Sequence, residues 1–173
     1  MNTNYDFKLY VGTYGKYNAG SIEGAWLSLL DYETIDDFYA ACRELHKDEA
    51  DPEFMFQDYD GEDFGLYSEC GLSEKLFALV HAVAGSSWSV NVVAAYISLF
   101  SPDIDEIENL DNEISDRYCG EFESNYDLGV YMADEVCCLD IPDNLAPYFD
   151  YEAYGRDCAY DLHEFEGVYF WNN

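Results

Sequence analysis

Between residues 101 and 173 the sequence carries twenty Asp and Glu side chains but two basic ones, Arg117 and Arg156. Carboxylates at this density can do three kinds of chemistry: move protons, hold cations, or present fixed negative charge to a cationic partner. Proton transfer needs a pair whose surroundings separate their pKa values. Among so many acids, no spacing singles out the two carboxylates of a glycosidase. The sequence also lacks a Walker-type phosphate loop, a dinucleotide-binding glycine fingerprint, HExxH and GxSxG. The expectation is a protein that is not an enzyme and needs no cofactor.

Cation binding has one candidate. Asp58, Asp60, Glu62 and Glu69 stand at positions 1, 3, 5 and 12 of a calcium-loop register. Position 6 is Asp63, where the sharp turn of that loop requires glycine. An acidic turn is the better reading and no metal site is assigned, with calcium binding kept as an alternative. The six cysteines, Cys42, Cys70, Cys119, Cys137, Cys138 and Cys158, show neither CxxC nor zinc spacing. They read as reduced, semi-buried thiols. His46 reads as a packing or surface histidine and His81 as a core one, since no ligating or nucleophilic residue stands at a matching spacing.

Fixed charge remains. The chain has 37 acids and 7 Lys or Arg, a formal net charge of −30, and self-repulsion on that scale opposes compaction. A hydrophobic fraction of 49% and an aromatic fraction of 18% nevertheless take it out of the disordered class. Tyr118, Phe122, Tyr126, Tyr131, Tyr148, Phe149, Tyr151, Tyr154, Phe165, Tyr169, Phe170 and Trp171 are threaded through the acids. That interleaving describes a folded surface holding carboxylates in place. Its partner should be cationic, and the same charge opposes direct contact with nucleic acid or an anionic membrane. A halophilic adaptation is a further alternative.

The elements that must position these acids follow from periodicity. Phe7 to Tyr14 has strand composition, Tyr17 to Gly20 reads as a turn, and a second strand is expected over 21–30. Thr34 caps a helix with Ile35, Phe38, Tyr39, Cys42, Leu45 and His46 on one face. Pro52 ends it, and Phe54 to Phe56 is extended. Ser73 caps a helix stopped by Gly85, and Val90 to Phe100 forms a second buried helix before Ser101-Pro102. Residues 76–100 carry no formally charged side chain, making them the hydrophobic hub.

Beyond Pro102, Ile104, Ile107, Leu110, Ile114 and Tyr118 can share one helical face, leaving Asp103, Asp105, Glu106, Glu108, Asp111, Glu113 and Asp116 around the rest. Like charges at this spacing cost about 0.2–0.5 kcal/mol per pair. An ordinary solvated face would mix both signs. Another helix is expected over 125–139 and a loop over 142–147; Asp150 then caps a helix burying Tyr151, Tyr154, Cys158 and Leu162. Gly167 precedes a closing strand, Val168 to Trp171. The fold expected is α+β, an elongated chain of three small modules: residues 1–61, a helical middle over 62–102, and an acidic module over 103–173. Met1 to Gly12 shows no signal-peptide pattern, and the apolar run ending at Phe100 is too short to span a bilayer. A soluble, cytoplasmic protein is expected.

B-DNA carries one negative charge per ~1.7 Å of axis, so the thirty net charges match roughly 50 Å of duplex, or about 15 base pairs. Neighbouring carboxylates on a helix lie about 5–6 Å apart at Cβ, near the separation of successive phosphates. Such a surface can stand where a DNA-binding protein expects phosphates. On this ground Asp103, Asp105, Glu106, Glu108, Asp111, Glu113, Asp116, Glu121 and Glu123 are assigned to partner contact.

Three blocks also carry a family resemblance: Leu9 to Tyr14 followed by Lys16-Tyr17-Asn18 and Gly20; Asp51 to Asp58; and Tyr148 to Asp157. Together they resemble the ArdA antirestriction proteins of mobile genetic elements over nearly the whole length. The resemblance implies a DNA mimic that inhibits type I restriction-modification enzymes, with three small domains in a curved homodimer paired through its C-terminal region. It extends the antirestriction role to Asp150, Glu152, Asp157 and Asp161. A mimic directed at another DNA-binding protein remains an alternative.

Overall fold

A computed structural model describes residues 5–142 and 144–172 and shows an α+β fold, with an antiparallel sheet near each end of the chain and helices between. The chain divides into two compact units: Met1–Val93 with Pro102–Asp111, and Ala94–Ser101 with Asn112–Asn173.

In the first unit β1 (Lys8–Thr13) runs between β2 (Ala25–Ser28) and β3 (Phe54–Asp60), antiparallel to both. Alternation along β1 sends Leu9 and Val11 inward. Under them lies α2 (Ile35–Leu45), whose Phe38 and Cys42 are buried against Phe7, Leu9, Val11 and Phe56. Thr34 caps α2 by accepting from the Asp37 N–H at 3.2 Å. A short turn of helix, α1 (Tyr14–Asn18), is capped by Thr13 and Ala19 and followed by Gly20 at φ +84°. Gly24, at the entry to β2, is packed so closely that a Cβ there would stand 2.3 Å from the Val11 carbonyl oxygen. α3 (Glu74–Gly85) is capped by Ser73 and adds Leu76 and Val80 to the core. α4 (Val90–Phe100) contributes residues to both units. The first unit closes with α5 (Ile104–Glu108) and the start of α6 (Leu110–Arg117).

In the second unit β6 (Val168–Trp171) lies between β4 (Tyr118–Glu121) and β5 (Leu162–Phe165), again antiparallel. The β5–β6 hairpin turns through Glu166 and Gly167 at φ +50° and +82°, the signature of a two-residue primed turn. Phe170 is fully buried, with its ring 5.9 Å from Tyr96, 5.7 Å from Phe100 and 6.1 Å from Tyr118. On the sheet's flank α7 (Asn125–Tyr131) runs into a widened turn, Met132–Val136, closed by a bond from Cys137 N–H to Met132 O at 2.8 Å. α7 crosses α8 (Tyr151–Cys158) glycine on glycine. A Cβ on Gly129 would stand 2.0 Å from Tyr151 O, and one on Gly155 1.9 Å from Asn125 O.

The sequence-based helix through Ile104 and Tyr118 is two helices. Asn109 caps α5, its N–H bonded to Glu106 O and Ile107 O, and Tyr118 opens β4 instead of joining the helical face. The physical cause is local: an Asn amid like-charged neighbours terminates a helix more readily than it propagates one. Leu162, expected on the α8 face, begins β5, and the second strand is confined to Ala25–Ser28. The helix expected over 125–139 keeps its α geometry only to Tyr131, and the loop over 142–147 runs into a 3₁₀ turn, Ala146–Tyr148. His46 is buried at the C-terminus of α2, its Nε2 3.2 Å from Val11 O.

Candidate acidic interface

The acids of the first unit fall into two kinds. Asp103 caps α5 by accepting from the Glu106 N–H at 3.0 Å, and Glu106 reaches back to accept from the Asp103 N–H at 2.8 Å. Asp111 is turned inward: its carboxylate accepts from Ser86 Oγ at 2.5 Å, Ser87 N–H at 3.1 Å and Ser87 Oγ at 2.9 Å. Partial burial pushes its carboxyl up, but these hydrogen bonds outweigh that and leave it below the usual carboxylate range. Asp105 and Glu108 are exposed, and their side chains bond to no other described residue.

The second unit repeats the division. Asp150 caps α8 through the Ala153 N–H at 2.9 Å, and Glu152 accepts from Asn125 Nδ2 at 3.0 Å, tying α8 to the first turn of α7. Asp157 meets Arg156 at 3.5 Å, an exposed pair of little stabilising value. Glu121 accepts from the Tyr118 hydroxyl at 3.3 Å. Burial, with Glu121 adding to it, pushes that phenol up to about 12. Asp116, Glu123 and Asp161 are exposed and Glu113 half-exposed, and the side chains of these four bond to no other described residue.

This arrangement leaves negative charge standing in solvent, offset by few cations. Lys8, Lys16, Lys47 and Arg156 already pair with local acids, and the Arg117 guanidinium lies 4.8 Å over the Phe100 ring. Asp58 and Asp60 lie in β3, so the first two positions of the calcium register have strand backbone. Among the described residues no group of three or more His, Cys, Asp or Glu is placed to hold a metal ion.

A family model described as "Antirestriction protein (ArdA)" matches residues 9–170 of the 173. The chain belongs to the ArdA antirestriction family. Among curated proteins, no sequence matches it significantly. In this ArdA-family chain the block Tyr148 to Asp157 spans the end of a 3₁₀ turn, the Asp150 cap and nearly all of α8. The two acids the block places in and before the first turn of α8, Asp150 and Glu152, both serve the α7–α8 pair structurally while remaining exposed.

Other exposed acids escaped the sequence assignment. Asp127, Asp134 and Glu135 lie on α7 and its widened turn, and Glu164 and Glu166 lie at the β5–β6 hairpin. Glu33, Asp36, Asp37 and Glu44 lie on or beside α2. Helical spacing could have found the first three, since 127, 131, 134 and 135 recur on one stripe. Among the described residues, no helix is long and apolar enough to cross a membrane.

Proposed function

We propose that this chain inhibits restriction by standing in for DNA: its exposed carboxylates occupy the DNA-binding groove of type I restriction-modification enzymes, and it catalyses nothing itself. The observation that carries the reading is the set of solvent-facing acids, Asp105, Glu108, Asp116, Glu123 and Asp161, whose side chains bond to no other described residue and have few cations to offset them. Carboxylates already satisfied internally gain less from a partner's Lys and Arg than these do. Asp103, Glu106, Asp111, Glu121, Asp150, Glu152 and Asp157 therefore contribute through field and helix geometry first, and Glu113 joins the free set.

The partner's phosphate-binding Lys and Arg take these carboxylates in place of phosphates. A protein offers no base edges, so inhibition extends across enzymes of different sequence specificity. It also has no dense condensed counterion layer to release, so its salt dependence differs from that of DNA. The functional species in this reading is a cytoplasmic homodimer paired through the C-terminal unit, within a three-module organisation over 1–61, 62–102 and 103–173. Leu139, Leu145 and Tyr148, the last 84% exposed, give that unit apolar surface that pairing would cover.

The test is competition. A type I modification enzyme bound to labelled DNA is titrated with the purified protein at fixed, moderate salt. Release of DNA near stoichiometric protein is expected. DNA that stays bound at large excess refutes the reading for that enzyme.

A further inference from the structure

We infer that the second unit carries a receptor for one arginine side chain of its partner, walled by Phe122, Tyr126 and Tyr131 and charged by Asp127, Asp134 and Glu135. These side chains, with Val130, bound an open hollow of about 520 Å³. The inference rests on the proposed function for the source of the arginine, which is a DNA-binding groove.

The hollow is built from one helix and one strand end. Asp127 and Tyr131 are a helical turn apart on α7, and the widened turn Met132–Val136 continues that face. Such a turn covers less rotation per residue than an α-turn, which carries Glu135 back above Tyr131 beside Asp134. Phe122, just past β4, stands with its ring 5.1 Å from that of Tyr131. Tyr126 rests edge-on against Tyr151 at 5.6 Å and keeps 51% of its surface exposed.

The charges are available. Asp127 accepts from Ser124 Oγ at 2.6 Å through one oxygen, and the side chains of Asp134 and Glu135 bond to no other described residue. The unit's two arginines are engaged elsewhere, Arg156 with Asp157 and Arg117 over Phe100.

Rings and carboxylates together choose the ligand. An apolar group would strand three carboxylates, and a hydrated metal ion would gain nothing from the rings. A guanidinium satisfies both: it is planar and weakly hydrated, stacks on aromatic faces, and offers a fork of donors to carboxylates. The lysine ammonium, compact and strongly hydrated, fits the same place less well. The phosphate-like acids elsewhere do not distinguish the two cations, so this hollow biases the protein towards grooves that present arginine.

The test needs no restriction enzyme. The isotope-labelled protein is titrated with acetyl-Gly-Arg-Gly-amide and, separately, acetyl-Gly-Lys-Gly-amide, following amide shifts by NMR. The arginine peptide is expected to move amides around 122, 126, 130 and 131 in a saturable way and to bind more tightly than the lysine peptide. Tyr126→Leu should weaken it about two- to five-fold, the worth of an exposed cation–π contact. Asp134→Asn with Glu135→Gln, a surface change that spares the core, should weaken it comparably, whereas Glu33→Gln should not. Shifts scattered over all acids, equal for both peptides, or unmoved by either hollow variant, overturn the receptor. DNA release from a type I enzyme that persists after such a failure leaves mimicry standing. A saturable arginine response without DNA release removes the mimic reading alone.

Discussion

Replacing Gly155 by alanine puts a methyl group where no room exists. The new Cβ would lie 1.9 Å from Asn125 O, 2.6 Å from Gly129 N and 2.9 Å from Asn125 C. Ordinary Cβ contacts begin near 3.4 Å, so α7 and α8 must part by about 1.5 Å, the difference between 3.4 and 1.9. All three neighbours are backbone atoms and cannot rotate away. Overpacking of this kind costs about 1–3 kcal/mol and more where backbone must move. Alanine returns up to about 1 kcal/mol through its better helix propensity. The net expectation is a loss of about 2 kcal/mol or more, large against the roughly 5–15 kcal/mol that holds a typical domain. Gly129→Ala should behave alike, because its Cβ would lie 2.0 Å from Tyr151 O. Gly85→Ala, at the end of α3 with nothing within 4 Å, is the control and should be neutral or slightly stabilising. Urea unfolding followed by circular dichroism reads the stabilities, and amide hydrogen exchange over 125–136 and 151–158 localises the effect. A Gly155→Ala protein that unfolds at the same or higher urea than the parent would refute the close crossing.

Asp111→Ala should cost about 1–3 kcal/mol by leaving the buried Ser86 hydroxyl without its acceptor, and per folded molecule should weaken DNA release less than neutralising Asp105 and Glu108 does. Because the folded Asp111 carboxyl lies below its unfolded value near 3.9, its contribution is complete above that pH and is lost as pH falls through the folded value. Acid titration of unfolding should therefore show a shallower loss below about pH 4 for Asp111→Asn than for the parent. Neutralising Asp105 and Glu108 together should act the other way, stabilising by about 0.2–0.5 kcal/mol through relief of an i,i+3 repulsion while weakening DNA release. Thiol labelling at neutral pH should be fast at exposed Cys70, Cys137 and Cys138. It should reach Cys42 and Cys119, which burial pushes up to about 12 and about 11, only on unfolding. Matched salt titrations should give different log–log slopes for the protein and for DNA on the same enzyme, and equal slopes would remove the counterion argument.

Legibility followed the range of the interaction. The caps at Thr34, Ser73 and Asp150 were readable because capping is decided within four residues. α4 was readable from an uncharged, predominantly apolar run, and β6 from its aromatic composition after Gly167. β4 and β5 were not, since four-residue strands have too few alternations to register; each exists because β6 lies beside it. The break at Asn109 was hidden by an apolar spacing that fits one helix as well as two. Among the acids, sequence showed their number and spacing but not their partners: nothing near Asp111 in the chain announces that Ser86 and Ser87 will occupy it.

The chain's own composition and local pattern determined the α+β class, the capped helices, the excess of negative charge and the family, because charge is additive and caps and periodicity are short-range. Tertiary structure decided which carboxylates are consumed inside the protein and which remain in solvent. It also decided the glycine-on-glycine crossing of α7 and α8 and the aromatic hollow beside Glu135. Each of these depends on which distant backbone a residue meets, and that is settled only when buried apolar surface and close packing select one arrangement of the elements.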